Sequence, residues 1–154
     1  MRPFVLTLLG LALAVMLAAC AWGSGSVTRS VAASAASPAR VELDVFSGRP
    51  NPMWELSAAD TAALLDVIAA LPPASSLDLP TPLGYRGFLV SLTAPESGTE
   101  MVIHAFQGTV ESRGDGTTYY ADPGRQVERW LLATGRPHLE GGLYNSLLAE
   151  IGGQ

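Results

Sequence analysis

The sequence predicts an α+β domain, in which an antiparallel β-meander of about four to five strands carries two to three helices packed on one face. Two observations predict this class. Short segments that alternate apolar and polar residues follow one another between turn signals, which is typical of hairpin-connected strands. Other segments place apolar residues at helical spacing and are bounded by capping residues, proline or glycine. Consecutive strands joined by short turns pair antiparallel, and we expect the helices to cover one face of the sheet.

The first part of the predicted domain supplies a strand, a turn and a helix. Residues 41–46 alternate apolar with acidic side chains, the pattern of a half-buried strand. Residues 47–52 contain two prolines, a glycine and an asparagine, which end this strand in a turn. Ser57 followed by Asp60 is typical of a capping box and predicts a helix from residue 58 to about residue 71.

The second part predicts four successive strands and two further helices. The strands are expected at residues 85–93, 100–106, 109–112 and 117–121. Asp122 is expected to cap the next helix, with Pro123 at its first position and Gly135 at its end. A last short helix is expected at residues 143–151.

The first 19 residues are typical of an export signal rather than of a folded element. Arg2 precedes an apolar run over residues 4–16, and small residues follow it. The sequence Leu-Ala-Ala-Cys at residues 17–20 resembles the lipobox of bacterial lipoproteins. The resemblance implies that Cys20 receives a diacylglyceryl group, with fatty acyl chains such as palmitate, and becomes the N-terminus after cleavage. Two alternatives stay open: cleavage by the general signal peptidase to release a soluble protein, and an uncleaved anchor over residues 4–22.

These features predict three regions: a signal peptide over residues 1–19, a flexible tether over 20–39 and a single domain over 40–154. The tether is rich in small residues without an apolar period, and a chain of that length spans about 25 Å. We expect the domain outside the cytoplasm, held on the cell envelope by its lipid. Ala21 follows the cysteine, where lipoproteins retained at the inner membrane carry aspartate. The resemblance therefore favours the outer membrane in a host that has one.

Composition argues against a nucleic-acid-binding protein and against an exported domain stabilised by disulfides. The formal net charge is −5, and the nine basic residues are all arginines. Nucleic acids bind basic surfaces, so we expect no nucleic-acid partner. The chain has one cysteine and therefore no internal disulfide, which means that the exported domain depends on its apolar core.

A second resemblance covers the core of the domain, from about residue 41 to residue 134. The run Phe-Ser-Gly-Arg-Pro-Asn-Pro at residues 46–52, with Trp54 and Leu56 after it, resembles a signature of uncharacterised secreted bacterial proteins. The run Tyr-Ala-Asp-Pro-Gly-Arg at residues 120–125, continuing into Glu128 and a Trp-Leu pair, resembles the second shared segment of that group. No activity is established for the group, so the resemblance implies neither a reaction nor a ligand.

Four residues are candidates for ligand binding: Arg49, Asn51, Trp54 and His104. A proline-braced turn is suited to presenting the Arg49 guanidinium and the Asn51 amide to a carboxylate, phosphate or sugar. The favoured alternative is structural: Trp54 packs on the core, and Arg49 and Asn51 bond backbone groups that the prolines leave unpaired. Asp44 and Asp122 are further possible partners of Arg49. A single histidine inside a strand, such as His104, is more often packed than catalytic.

The sequence contains no catalytic, metal-binding or cofactor-binding motif that we identify, so we expect no metal and no cofactor. Whether the chain is an enzyme stays open, with a non-catalytic function favoured. The leading hypothesis is a membrane-tethered binding or interaction module with an envelope protein or cell-wall component as partner. The alternatives are a hydrolase-like enzyme that uses carboxylates, and a secreted inhibitor that uses the loop at residues 46–52.

Overall fold

The computed structural model describes residues 36–75, 83–94 and 97–153. The strands are β1 (Ala39–Leu43), β2 (Met53–Leu56), β3 (Pro73–Ala74), β4 (Phe88–Thr93), β5 (Glu100–Phe106), β6 (Thr109–Arg113) and β7 (Thr117–Ala121). The α-helices are α1 (Ala58–Ala69), α2 (Gln126–Gly135) and α3 (Gly141–Gly152), and a 3-10 turn over Arg136–His138 links the last two. The predicted signal peptide, Cys20 and most of the predicted tether lie outside the described residues.

The structure confirms the α+β class and the antiparallel sheet. All pairings in the sheet are antiparallel, and the strand order is β2-β1-β4-β5-β6-β7-β3. Strands β4 to β7 form the predicted meander. The expected number of four to five strands is too low, because the sheet has seven strands within the described residues.

The two additional strands, β2 and β3, form the edges of the sheet. Strand β2 has the burial alternation of a half-buried strand, but its four residues lie between a proline-rich turn and a helix cap and are easily taken as a connection. Strand β3 has only two residues and begins at Pro73, one of the prolines expected only to end a helix. Proline is tolerated here because an edge strand does not need all of its amide donors.

Helix α1 begins as predicted. The Ser57 side chain accepts a hydrogen bond from the Asp60 amide at 3.1 Å and donates one to its carboxylate at 2.6 Å. Thr61, Leu64 and Ile68 are buried, as the helical spacing predicts. The helix ends at Ala69, two residues before the predicted end.

Helix α2 begins three residues later than predicted. The Arg125 amide bonds the Asp122 carbonyl at 2.8 Å, and Arg125 has a left-handed backbone with φ 49°. Pro123 therefore belongs to a turn rather than to the first position of the helix. Asp122 still caps the helix, since its carboxylate accepts hydrogen bonds from the amides of Gln126 and Val127 at 2.9 and 2.8 Å. The predicted end at Gly135 is confirmed.

One face of the sheet forms the core together with the helices. Most buried apolar side chains of the central strands and of helices α1, α2 and α3 belong to one apolar cluster. The members from the sheet include Val41, Leu43, Phe88, Val90, Ile103, Ala105 and Val110, and those from the helices include Leu64, Ile68, Leu131, Leu132, Leu147 and Ile151. Residues that alternate with these on the central strands, such as Arg40, Ser91 and His104, are exposed or half-buried. In the part of the chain that the structure describes, no helix is long and apolar enough to span a membrane.

The strand register defines two ends of the sheet. Ala39, where the chain enters β1, lies at one end, and the turn between β4 and β5 lies at the same end. Leu43 lies at the opposite end, opposite Phe88, where β4 starts and β5 finishes. We call this the Leu43 end. It carries the loop at residues 44–52, the segment 83–87 and the turn between β5 and β6.

Trp54 of β2 packs against α2 and donates a hydrogen bond to it. Its side chain is 5% exposed, and its indole N–H donates to the Thr134 hydroxyl at 3.2 Å. The ring also packs edge-on against Phe88 and stacks with His138, with ring centroids 6.2 Å apart in each case. Gly135 faces the indole so closely that a Cβ at this position lies 2.8 Å from two ring carbons. Trp54 is thus a core residue.

We expect Gly135→Ala to lower the free energy of unfolding by about 1–3 kcal/mol, as overpacking does in other cores. The backbone at this position is right-handed helical, so the cost arises from the clash with Trp54. Urea unfolding measures it. Gly142→Ala is the matched control, because a Cβ there meets nothing within 4 Å and alanine favours the helix. Equal stability of the two variants contradicts this packing.

Candidate functional site

Asn51 organises the loop at residues 44–52 from inside. Its side-chain oxygen accepts hydrogen bonds from the amides of Val45 and Phe46 at 3.1 and 2.9 Å. Its side-chain nitrogen donates to the carboxylates of Glu42 and Asp44 at 2.8 and 3.2 Å. All the hydrogen-bonding groups of the amide are therefore used by the loop and by the end of β1. These contacts agree with the structural interpretation of Asn51.

Arg49 lies at the exposed tip of the same loop and does not make the predicted contacts. Its guanidinium carbon lies 3.4 Å from the centroid of the Phe46 ring, a cation–π contact. The expectation that Arg49 pairs with Asp44 or Asp122 is wrong, because both carboxylates are engaged by other groups. The guanidinium edge of Arg49 is exposed to solvent.

Asp44 pairs with Arg86, and this pair connects the loop to His104. Arg86 forms a two-point contact with the Asp44 carboxylate, in which the Nε–Oδ2 distance is 2.9 Å, and it also donates to the Phe46 carbonyl at 3.1 Å. The carboxylate contact raises the pKa of Arg86. The His104 Nε2 lies 2.8 Å from the Arg86 carbonyl, and the imidazole stacks on the Phe106 ring. One ring nitrogen of His104 is thus bonded to a main-chain carbonyl of segment 83–87.

A buried carboxylate on the other side of segment 83–87 forms a second cluster. Glu128 is 1% exposed and accepts two hydrogen bonds from the Arg125 guanidinium, both at 2.8 Å. It also accepts one from the Tyr85 hydroxyl at 2.6 Å and one from the Gly108 amide at 3.1 Å. Arg125 donates further to the main-chain carbonyl of Glu150 at 3.0 Å. We call these residues the Glu128 cluster.

The protonation of this cluster follows from its contacts. Burial alone acts to raise the pKa of Glu128, but hydrogen bonds from Arg125, Tyr85 and the Gly108 amide outweigh it and hold the pKa below its ordinary value. Burial, reinforced by the adjacent Glu128 carboxylate, raises the pKa of Tyr85 well above that of a free phenol. The cluster therefore holds a carboxylate, a guanidinium and a neutral phenol at neutral pH.

A cavity of about 300 Å³ opens at the Leu43 end, next to the Glu128 cluster. About half of its lining surface is apolar, and its polar lining residues include Gln107, Ser146 and Glu150. The lining residues are Val45, Leu83, Tyr85, Gln107, Leu143, Ser146, Leu147 and Glu150. None of the four sequence-predicted residues lines this cavity.

Two polar side chains of the cavity have no internal partner among the described residues. Ser146 donates to the Gly142 carbonyl and Tyr85 donates to Glu128, so both hydroxyl hydrogens are used. Gln107 and the Glu150 carboxylate make no hydrogen bond and no ion pair within the described part of the chain. The side chains of Gln107 and Glu150 are therefore the polar groups available to a ligand in the cavity.

The structure thus connects Asn51 and His104 through Asp44 and Arg86, but not in a cavity. Trp54 lies in the core and Arg49 at a loop tip. The cavity and the Glu128 cluster were not predicted. The i, i+3 spacing of Arg125 and Glu128 is a usable signal for an ion pair, but nothing in the sequence indicates that it is buried. Within the described residues, no group of three or more histidine, cysteine or acidic side chains is placed to hold a metal ion.

We expect Asn51→Asp to destabilise the domain by about 1–3 kcal/mol at neutral pH. The change is nearly isosteric, but it replaces a donor with a third carboxylate facing Glu42 and Asp44. The penalty should shrink below about pH 4, where carboxyl groups take up protons. Urea unfolding at pH 7 and pH 4 measures both effects. Asn145→Asp, at an exposed position of α3, is the control and should change stability little; an equal effect at both positions contradicts the role of Asn51.

We expect Tyr85→Phe to be less stable than wild type at neutral pH, and we expect this difference in stability to shrink at high pH. The variant lacks the hydrogen bond to Glu128, which costs about 1–3 kcal/mol. The folded pKa of Tyr85 is raised, so above about pH 10 the unfolded wild type releases the phenolic proton while the folded protein keeps it. The stability from this proton is present below that pH and is lost by about 1.4 kcal/mol per pH unit above it.

Guanidinium unfolding of both proteins from pH 7 to pH 11.5 tests this expectation. The two stability curves should approach each other above pH 10. Parallel curves over the whole range contradict the burial of a neutral phenol against Glu128.

Comparisons with protein-family models, with curated proteins and with solved structures find no match to this chain.

Proposed function

We propose that this chain is a lipid-anchored lipoprotein of the bacterial cell envelope, and that its folded domain is a non-catalytic binding module. The lipobox-like sequence at residues 17–20 supports the anchor. The observation that carries the binding function is the cavity at the Leu43 end, with its partly apolar wall and two polar side chains that have no partner among the described residues. Small-molecule sites typically combine such a wall with a few polar groups that orient the ligand.

The position of the cavity in the sheet supports this proposal. The chain that follows Cys20 enters β1 at Ala39, and the cavity lies beyond the other end of the strand, at Val45. Five extended residues cover about 17 Å, so the entry point and the cavity are separated by the length of the sheet. The preceding chain therefore joins the domain at the end of the sheet that does not hold the cavity.

The contacts favour a binding module over a carboxylate-dependent hydrolase. General acid–base catalysis needs groups that converge on a cleft and are free to exchange protons with a substrate. Asp60 accepts a hydrogen bond from the Ser57 hydroxyl at the start of α1. Asp44 forms an ion pair with Arg86, and buried Glu128 forms one with Arg125. Each of these carboxylates is engaged in holding the fold. Glu150 is the carboxylate that lines the cavity.

The contacts also weigh against an inhibitor that inserts the loop at residues 46–52 into a partner. Residues 47–50 are exposed, as such a loop requires. Trp54, however, is buried in the core, and Arg49 lies on Phe46 of its own loop. The side chains that would provide most of the binding energy are therefore used internally.

The lipid anchor is tested by expressing the wild type and Cys20→Ser in a bacterial host, separating the membranes and measuring the mass of the mature protein. We expect wild type in the membrane fraction, beginning at a diacylated Cys20. We expect Cys20→Ser to carry no lipid, so its measured mass should not include a diacylglyceryl group. A wild type that is soluble and unlipidated contradicts the proposal.

Ala21→Asp is the matched control for this experiment. The variant keeps the cysteine, so it should stay lipidated and membrane-bound. In a host with two membranes it should move from the outer to the inner membrane, which separates an effect on sorting from a loss of the anchor. Loss of the lipid in this variant would show that the region tolerates no change and that Cys20→Ser is uninformative about the thiol.

A further inference from the structure

We infer that the cavity at the Leu43 end binds a small organic cation, in which an amine is attached to an apolar body. This inference rests on the proposed binding function and specifies its ligand class. Three observations carry it: an apolar wall, an uncompensated carboxylate and an amide held by a strained turn.

The wall accounts for the apolar part of the ligand. Val45, Leu143 and Leu147 present aliphatic side chains to the cavity, and the Tyr85 ring adds an aromatic surface. Leu83 at the rim is 99% exposed, so its whole side chain is available to a ligand. Covering such surface is favourable in proportion to its area. A volume of about 300 Å³ fits a small molecule better than a folded segment of a partner.

The charges around the cavity favour a cation. Glu128 is neutralised by Arg125 behind the wall, and Asp44 is neutralised by Arg86 beside it. The Glu150 carboxylate has no such partner among the described residues. Arg125 contacts the main-chain carbonyl of Glu150 and not its carboxylate. One exposed negative charge therefore borders the cavity without an internal partner in the described residues, and an ammonium group complements it.

The turn between β5 and β6 holds Gln107 in a backbone conformation that does not favour glutamine, which points to a role for its side chain. Gln107 and Gly108 both have positive φ, 45° and 76°, which is the backbone of a two-residue hairpin turn. Asparagine or glycine suits the first position better than glutamine does. Strained positions of this kind concentrate at binding sites. The longer side chain of glutamine extends its amide further into the cavity than asparagine would.

A binding experiment with three matched probes tests the inference: 4-phenylbutylamine, 4-phenylbutanol and 4-phenylbutyrate. The full chain with Cys20→Ser, which lacks the lipidation site, is titrated with each probe while amide chemical shifts are recorded by NMR. We expect the amine to bind with a Kd on the order of 1 mM, as suits so small a ligand, and more tightly than the other two. The shifts should change at residues 83–85, 107–108 and 143–150.

Two variants identify the groups that recognise the amine. Glu150→Gln should weaken amine binding about 3- to 5-fold and abolish the preference over the alcohol, as the loss of one exposed ion pair does. Glu140→Gln changes the same charge at the far end of α3 and should bind as the parent does. Gln107→Asn should raise the melting temperature, because it suits the turn, and should weaken binding.

The outcomes are distinct. The inference is overturned if the three probes bind equally, if no probe shifts the cavity residues, or if Glu150→Gln retains the preference for the amine. It is also overturned if Gln107→Asn binds the amine as well as the parent does. A preference for the alcohol or the butyrate, with shifts at the cavity residues, overturns the cationic ligand but leaves the binding function standing. Failure of the lipoprotein proposal is seen separately, in the membrane fractions.

Discussion

The Glu128 carboxylate is the constraint on which the Leu43 end of the domain depends. Its four hydrogen bonds join α2 to segment 83–87 through Tyr85 and to the turn between β5 and β6 through Gly108. Its partner Arg125 extends the connection to α3 through the Glu150 carbonyl. Three separate walls of the cavity are therefore fixed by one buried ion pair. Removing either charge would leave the other buried and unpaired, which typically costs about 3–5 kcal/mol.

The hydrogen bonds around Asn51 and Arg86 fix further residues near the cavity. Asn51 bonds the Val45 amide, and Arg86 ties Asp44 to the backbone beside the Tyr85 wall. Tyr85 and Arg86 are neighbours in sequence, and each serves a different cluster. Segment 83–87 is thus held twice, at adjacent residues. In the described part of the chain, every buried side-chain nitrogen and oxygen has a hydrogen-bond partner. Such support keeps the cavity open before any ligand binds, which reduces the ordering cost of binding.

The sequence predicts the parts of this domain that depend on local patterns. The meander, the Ser57 cap and the end of α2 follow from alternation, capping and glycine, and all are found in the structure. Strand β3 was missed because two residues carry no periodicity and begin with a proline. The start of α2 was misplaced because the left-handed Arg125 is stabilised by its buried contact with Glu128, which is a tertiary effect. The cavity was missed for the same reason: its lining comes from four separate segments, and no spacing in the sequence relates them.

The residues that stand out in the sequence are not the residues whose polar side chains are free to bind a ligand. Asn51, Trp54 and His104 stand out because they are rare or lie in a marked motif, yet each uses its polar atoms to hold the fold. Gln107 and Glu150 do not stand out in the sequence, and in the described part of the chain their exposed side chains have no partner where they border a cavity. A group that is committed to several internal hydrogen bonds loses them when it turns toward a ligand, so the net gain from binding is small. A group with no internal partner loses only contacts with water. The recognition chemistry of this domain is therefore expected where the fold has left polar groups unpaired against an apolar wall.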